Sequence, residues 1–231
     1  MKRPARYGWL LAAAALLTAC AASAPAPEPA EPPAPPAAEW PQPDTHCASP
    51  TVLLDAHFET GNLGRCTVEA DGSFTLSLIP EDAPPINPSP WYAFRASGAP
   101  GTEVRVRLEA TRGHIRYWPK TSVDGRNWTP EPPKQTASEG EKPPWMTFHF
   151  TLGAAWRWVA GQEIMDTWDY QLRIRALAAK DGVSARLIGQ SVQGRPLYLA
   201  DTADRPVFVL FVGRLHPPEV TGAIGMRAFL D

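Results

Sequence analysis

Between Cys47 and Gly161 the chain is a succession of short runs rich in β-branched and aromatic residues, with turn-forming clusters between them. "TVLLDAHF", "SFTLSLI", "WYAFRAS", "EVRVRLEA" and "WMTFHFTL" are of strand length, and several place apolar side chains at every second position. "GNLG", "ADGS", "NPSP", "SGAPG" and "VDGRNW" punctuate them with the residues that turns require. A strand with one apolar face must bury that face, and short strands without intervening helices bury theirs by stacking two sheets. Residues 46–163 are therefore expected to form a β-sandwich.

The period then changes. "TWDYQLRIRALAAK", Thr167 to Lys180, places Trp168, Leu172 and Ala178–Ala179 near helical spacing and is closed by Asp181-Gly182. "ARLIGQSV" and "RPLYLADT" read as strands. "PVFVLFVGR" is a continuous apolar run, as expected of a central strand covered on both faces. "EVTGAIGMRAFL" can follow as a helix with Val220, Ile224 and Phe229 on or near one face. Strands mixed with helices imply a second unit of α/β type with a mixed sheet, from about Ile164 to Asp231.

The first twenty residues read as an export signal. Lys2, Arg3 and Arg6 form a basic start, and "GWLLAAAALL" is an apolar run too short to span a bilayer. "LTAC", ending at Cys20, resembles the bacterial lipobox, which implies cleavage before Cys20 and acylation of that residue. A multiply acylated cysteine anchors stably. The expectation is an exported lipoprotein on the periplasmic face or outer membrane of a bacterium, its partner there being the membrane itself. Residues 21–45 hold nine prolines and almost no aliphatic bulk. Such a segment stays extended at ~3.1 Å per residue and acts as a tether. In an oxidising compartment Cys47 and Cys66 are expected to pair.

With 22 Lys+Arg against 24 Asp+Glu the chain has no basic excess, and nucleic acid is not an expected partner. The chemistry-bearing pattern lies instead at His216-x-x-Glu219. An imidazole and a carboxylate three residues apart share one side of a helical turn, and Pro217 and Pro218 stiffen the spacing. A nitrogen and an oxygen donor suit Zn²⁺. Ligands between a strand's carboxyl end and a helix start also match where α/β sheets place their sites. By chance alone such a pair is common, and a satisfied structural histidine is the competing reading.

The flanks add to the pair. Gly189, Ser191, Gly194 and Arg195 stand before the apolar run as G-x-S-x-x-G-R, and His216, Pro217 and Glu219 after it as H-P-x-E. This arrangement resembles the zinc carboxypeptidase family of the carboxypeptidase A type, peptidase family M14, in its bacterial and cytosolic-carboxypeptidase-like branch. "DAHFETGNLGR", "INPSPWYAFR" and "RYWPKTSVDGRNW" look like the β-sandwich that precedes the catalytic domain in that branch. The resemblance implies that residues 164–231 are the first part of an α/β carboxypeptidase domain. It also implies that His216 and Glu219 are two of three protein zinc ligands and that the substrate is a peptide trimmed at its carboxyl end. In the family the third ligand, the general-base Glu and the carboxylate-binding Arg follow H-P-x-E at a distance, whereas these 231 residues run only twelve past Glu219. The expectation is a truncated chain with an incomplete Zn²⁺ site, no catalytic residue of its own and no activity by itself.

Two other readings of these residues compete. "GQSVQG" is one residue too long for a G-x-S-x-G nucleophile elbow, and Gly194 and Arg195 suit a turn between strands better. A membrane-tethered sandwich rich in tryptophan (Trp91, Trp118, Trp128, Trp145, Trp156, Trp158) could instead present aromatic faces to peptides or glycans, although most of these rings are expected in the core or at its edges.

Overall fold

The structure, a computed structural model, describes residues 40–80, 83, 89–136, 143–202, 207, 209–214, 216 and 219–230. The export signal, Cys20 and the tether as far as residue 39 lie outside the described residues. The alternating runs become β1 (His46–Ala48), β2 (Val52–Asp55), β3 (Arg65–Val68), β4 (Phe74–Leu78), β5 (Ala93–Gly98), β6 (Glu103–Ala110) and β7 (Lys120–Ser122). These are followed by β8 (Thr129–Pro130), β9 (Gln135–Thr136), β10 (Trp145–Thr151), β11 (Arg157–Ala160) and the helix α1 (Thr167–Ala178). The strands β12 (Ser184–Gln190) and β13 (Pro196–Asp201) and the helix α2 (Val220–Leu230) complete the order.

Two sheets form the sandwich, one in the order β1-β2-β5-β11-β7-β8 and the other in the order β3-β4-β6-β10-β9. β4 pairs with β6 in parallel, and β6 pairs with β10 antiparallel over seven residue pairs. Because side chains alternate along a strand, Phe74, Leu76 and Leu78 point inward from β4, Val104, Val106 and Leu108 from β6, and Met146, Phe148 and Phe150 from β10. Val52, Leu54, Phe94, Ala96 and Val159 meet them from the other sheet. Each fully buried side chain of this size contributes about 1.5–3 kcal/mol. Tyr92 closes the core at one end. Its hydroxyl donates to the Tyr117 carbonyl at 3.0 Å, and burial pushes its pKa well above the usual phenol value, so it remains a neutral donor.

Tryptophan takes no part in the fully buried core among the described residues. The rings lie half-exposed at its margins, and Trp118 is 54% exposed. An indole N–H needs an acceptor, which the margins supply. Trp91 donates to the Thr60 carbonyl, Trp128 to Gly125 and Trp40 to Pro80. Arg107 lies over Trp145 at 4.0 Å, and Arg95 over Trp156 at 4.5 Å.

Beyond the sandwich, α1 begins with a reciprocal cap in which Asp166 and Asp169 each accept the other's backbone N–H. Burial of Asp169, with the neighbouring Asp166 charge, raises its pKa. β12 and β13 form an antiparallel hairpin. Two expectations need correction. The run Pro206–Val212 is expected as a covered central strand, but its described residues, 207 and 209–212, belong to no strand. Among the described residues no strand pairs with them, and Val207, Val209, Leu210, Phe211 and Val212 are exposed. A strand exists only by hydrogen bonding to a neighbour, and apolar composition cannot supply one. In α2 the buried residues are Val220 and Ala223, while Ile224 and Phe229 are exposed, Phe229 lying against Phe211 with ring centres 4.9 Å apart. Among the described residues no helix is long and apolar enough to cross a membrane.

Cys47 on β1 and Cys66 on β3 form a disulfide that joins the two sheets at their edges, with Cα atoms 6.2 Å apart and a sequence separation of 19. Closing a loop of this length restricts the unfolded chain. Replacing both cysteines by serine should lower the unfolding free energy by about 3 kcal/mol, read as a fall in the urea midpoint. An unchanged midpoint would show that the crosslink adds nothing to the packed sheets.

Candidate metal centre

The segment between β11 and α1 decides where everything after the sandwich lies. The Gly161 N–H donates to the Tyr92 carbonyl at 3.2 Å, and a Cβ on Gly161 would lie 3.2 Å from the Tyr92 ring, so the backbone here passes close over the core. Glu163 receives the Lys120 ammonium at 2.7 Å. Burial acts to raise the Glu163 pKa, but the hydrogen bond and charge of Lys120 outweigh it and hold the carboxyl below its usual value. Gln162 Oε1 accepts from Thr221 Oγ1 at 3.3 Å, and the Met165 carbonyl accepts from Arg214 at 2.8 Å. The sandwich, α1, α2 and the residues before His216 are thus all fastened to one short stretch.

A second fastening comes from Glu59, in the loop after β2. Gly61 is required there, because a Cβ would meet the Ala56 carbonyl oxygen at 1.9 Å. Glu59 Oε1 accepts the Thr167 N–H at 3.1 Å, together with the Thr167 hydroxyl, at the first turn of α1. Arg195 approaches the same oxygen at 3.6 Å. The G-x-S-x-x-G-R element explains the aim of that arginine. It is the turn between β12 and β13, where Gly194 has φ 74° and Ser191 Oγ accepts the Arg195 N–H at 3.1 Å. The serine serves the turn through its oxygen.

His216 and Glu219 are brought together. Glu219 is the residue before α2, its N–H donates to the His216 carbonyl at 3.0 Å, and Nδ1 of His216 lies 3.0 Å from Oε1 of Glu219. Both side chains are open to solvent, 62% and 45% exposed. They meet after an extended segment and beside a helix start. An accessible imidazole nitrogen and carboxylate oxygen facing each other are donors of the kind zinc takes, so the pair fits the metal as part of a donor set. Among the described residues no group of three His, Cys, Asp or Glu could hold an ion. Sequence reading did not find Glu59 or Arg214. Glu59 lies more than 100 residues from the residues it holds, and no local pattern marks it. Arg214 carries one signal, its place two residues before His216.

The sandwich has known relatives. Residues 54–158 match the family described as the cytosolic carboxypeptidase N-terminal domain. The match lies within the sandwich and covers a little under half of the 231 residues. A metallo-carboxypeptidase of Burkholderia cenocepacia is similar in structure at TM-score 0.51 and 20% identity, over 65% of this chain and 39% of that one. A candidate carboxypeptidase of Burkholderia mallei is similar at TM-score 0.50 and 19% identity, over 65% and 38%. These structures share its fold, and the chain spans about two fifths of their length. No curated protein sequence matches it. The fold is thus an N-terminal β-sandwich followed by the first part of an α/β unit, as in those carboxypeptidase structures.

Glu59→Ala removes the acceptor for two donors at the start of α1 and the anion facing Arg195. It should cost about 1–2 kcal/mol, seen as a lower unfolding midpoint, and Glu59→Gln should recover part of this because an amide oxygen still accepts. A Glu59→Ala protein that unfolds at the wild-type midpoint would mean that this contact does not hold the two parts together.

Proposed function

We propose that these residues are part of a zinc metallocarboxypeptidase that removes carboxy-terminal residues from peptides, with His216 and Glu219 as two of its metal ligands. The observation that supports this reading best is the exposed His216–Glu219 pair, closed to 3.0 Å, in a chain whose sandwich matches the cytosolic carboxypeptidase N-terminal domain. Zinc, when bound, polarises a carbonyl and lowers the pKa of its water. The chain's own contribution is one nitrogen and one oxygen donor, held one helical turn apart by a backbone hydrogen bond.

These 231 residues alone are proposed to be inactive. A catalytic zinc takes three protein ligands and keeps one open position, and the described residues bring two donors together. Without a placed general base the rate falls by a further factor of about 10²–10⁴. The competing reading, a tryptophan-lined module for glycans or peptides, has less support, because the rings of Trp145 and Trp156 already carry the guanidinium groups of Arg107 and Arg95.

Zinc titration and peptidase assay of the same preparation test both parts. Wild-type protein should bind zinc weakly, His216→Ala should lose that binding, and neither should release a terminal residue from blocked dipeptides. Equal zinc affinity in wild type and His216→Ala would remove the metal role. Chelator-sensitive turnover that disappears in His216→Ala would contradict the proposed inactivity.

A further inference from the structure

Arg214 is the non-glycine residue with positive φ among the described residues, at 54°. The left-handed region is unfavourable for an ordinary side chain and persists only where the surroundings impose it. Two contacts impose it here. The Arg214 guanidinium donates to the Met165 carbonyl at 2.8 Å, across 49 residues, in the segment that leaves the sandwich. The backbone beside it is pressed against α2, since a Cβ on Gly222 would lie 3.1 Å from the Arg214 nitrogen, and one on Gly213 would lie 3.1 Å from the Gly222 carbonyl oxygen. Gly222 in turn donates its N–H to the Glu219 carbonyl, and Thr221 beside it reaches Gln162.

These contacts form a continuous path. The sandwich core fixes Gly161 through Tyr92, the segment from Gly161 to Asp166 carries the Met165 carbonyl, and Arg214 binds that carbonyl two residues before His216. We propose that Arg214 is a positioning residue: it couples the β-sandwich to the His216–Glu219 pair by locking the backbone turn that aims both donors. This deepens the metal-ligand reading and rests on it. The Arg214 backbone lies against Gly222 of α2, the Glu219 N–H is bonded to the His216 carbonyl, and the bond to Met165 ties this corner to the segment that leaves the sandwich. The sandwich thereby orders the pair from a distance without touching it.

Arg214→Lys keeps a cationic donor of similar reach. Arg214→Asn keeps a residue that tolerates the left-handed conformation but cannot span to Met165. Cobalt(II) titration of the 231-residue chain, followed by its visible spectrum, reads the donors directly. Loss of a residue that supports metal ligands weakens binding about 10–100-fold. Arg214→Asn should show that loss, Arg214→Lys should recover most of it, and all three proteins should keep the same global unfolding midpoint to within the effect of one hydrogen bond. Affinity and spectrum unchanged in Arg214→Asn would overturn the proposal while leaving His216 and Glu219 as ligands, provided that His216→Ala abolishes binding. If wild type and His216→Ala bind cobalt alike, the metal reading fails, and amide exchange decides the coupling instead. Faster exchange at Glu219 and Gly222 in Arg214→Asn, restored in Arg214→Lys, supports it, and unaltered exchange overturns it.

Discussion

Six residues, from Gly161 to Asp166, carry the mechanical connection on which the later part of the structure depends. The Gly161 backbone is hydrogen-bonded over the sandwich core, the Glu163 carboxylate holds Lys120 of β7, and Asp166 caps α1. Gln162 and Met165 reach forward to Thr221 and Arg214. A hydrogen bond of this kind contributes about 0.5–1.5 kcal/mol net, so none of them dominates. Together they give the segment several independent reasons to adopt one path, which the short apolar contacts of α1 and α2 alone would not. The buried sheets supply the rigidity, and the segment passes it on.

That division of labour matches the distribution of apolar surface. In the sandwich, Phe74, Phe94, Phe148 and their neighbours are almost wholly buried, as expected where two sheets interdigitate. In the second part the buried residues are few, Leu177, Val220 and Ala223 among them, and the extended apolar segment around Phe211 is open to solvent. The precise orientation of His216 and Glu219 therefore owes little to hydrophobic packing around them and much to named hydrogen bonds and two close-packed glycines.

The sandwich was legible in the sequence because alternation with period two is a direct consequence of strand geometry, and β4, β6 and β10 obey it residue by residue. β11 and the short strands β7, β8 and β9 were not, since a few residues cannot show a period. The tryptophans, expected in the core or at its edges, take the edges. Size and hydrophobicity argue for the core, but the indole N–H and the neighbouring arginines keep Trp91, Trp145 and Trp156 at the margins. The apolar run near Phe211 reads as a strand because composition reports burial and length, not the partner that a strand must bond. Of the candidate site, the H-x-x-E spacing identified the pair at once, since both residues sit on one turn. Glu59 and Arg214 act through contacts across 108 and 49 residues, and no local pattern encodes such a distance.

The most direct test is the coordination shell of zinc bound to this chain, measured by X-ray absorption. One imidazole nitrogen and one carboxylate ligand are expected at about 2.0–2.2 Å, with water oxygens completing the shell and the imidazole signal lost in His216→Ala. A shell with two or more imidazoles, or one that His216→Ala leaves unchanged, would place the metal on other histidines and contradict the proposed ligand pair.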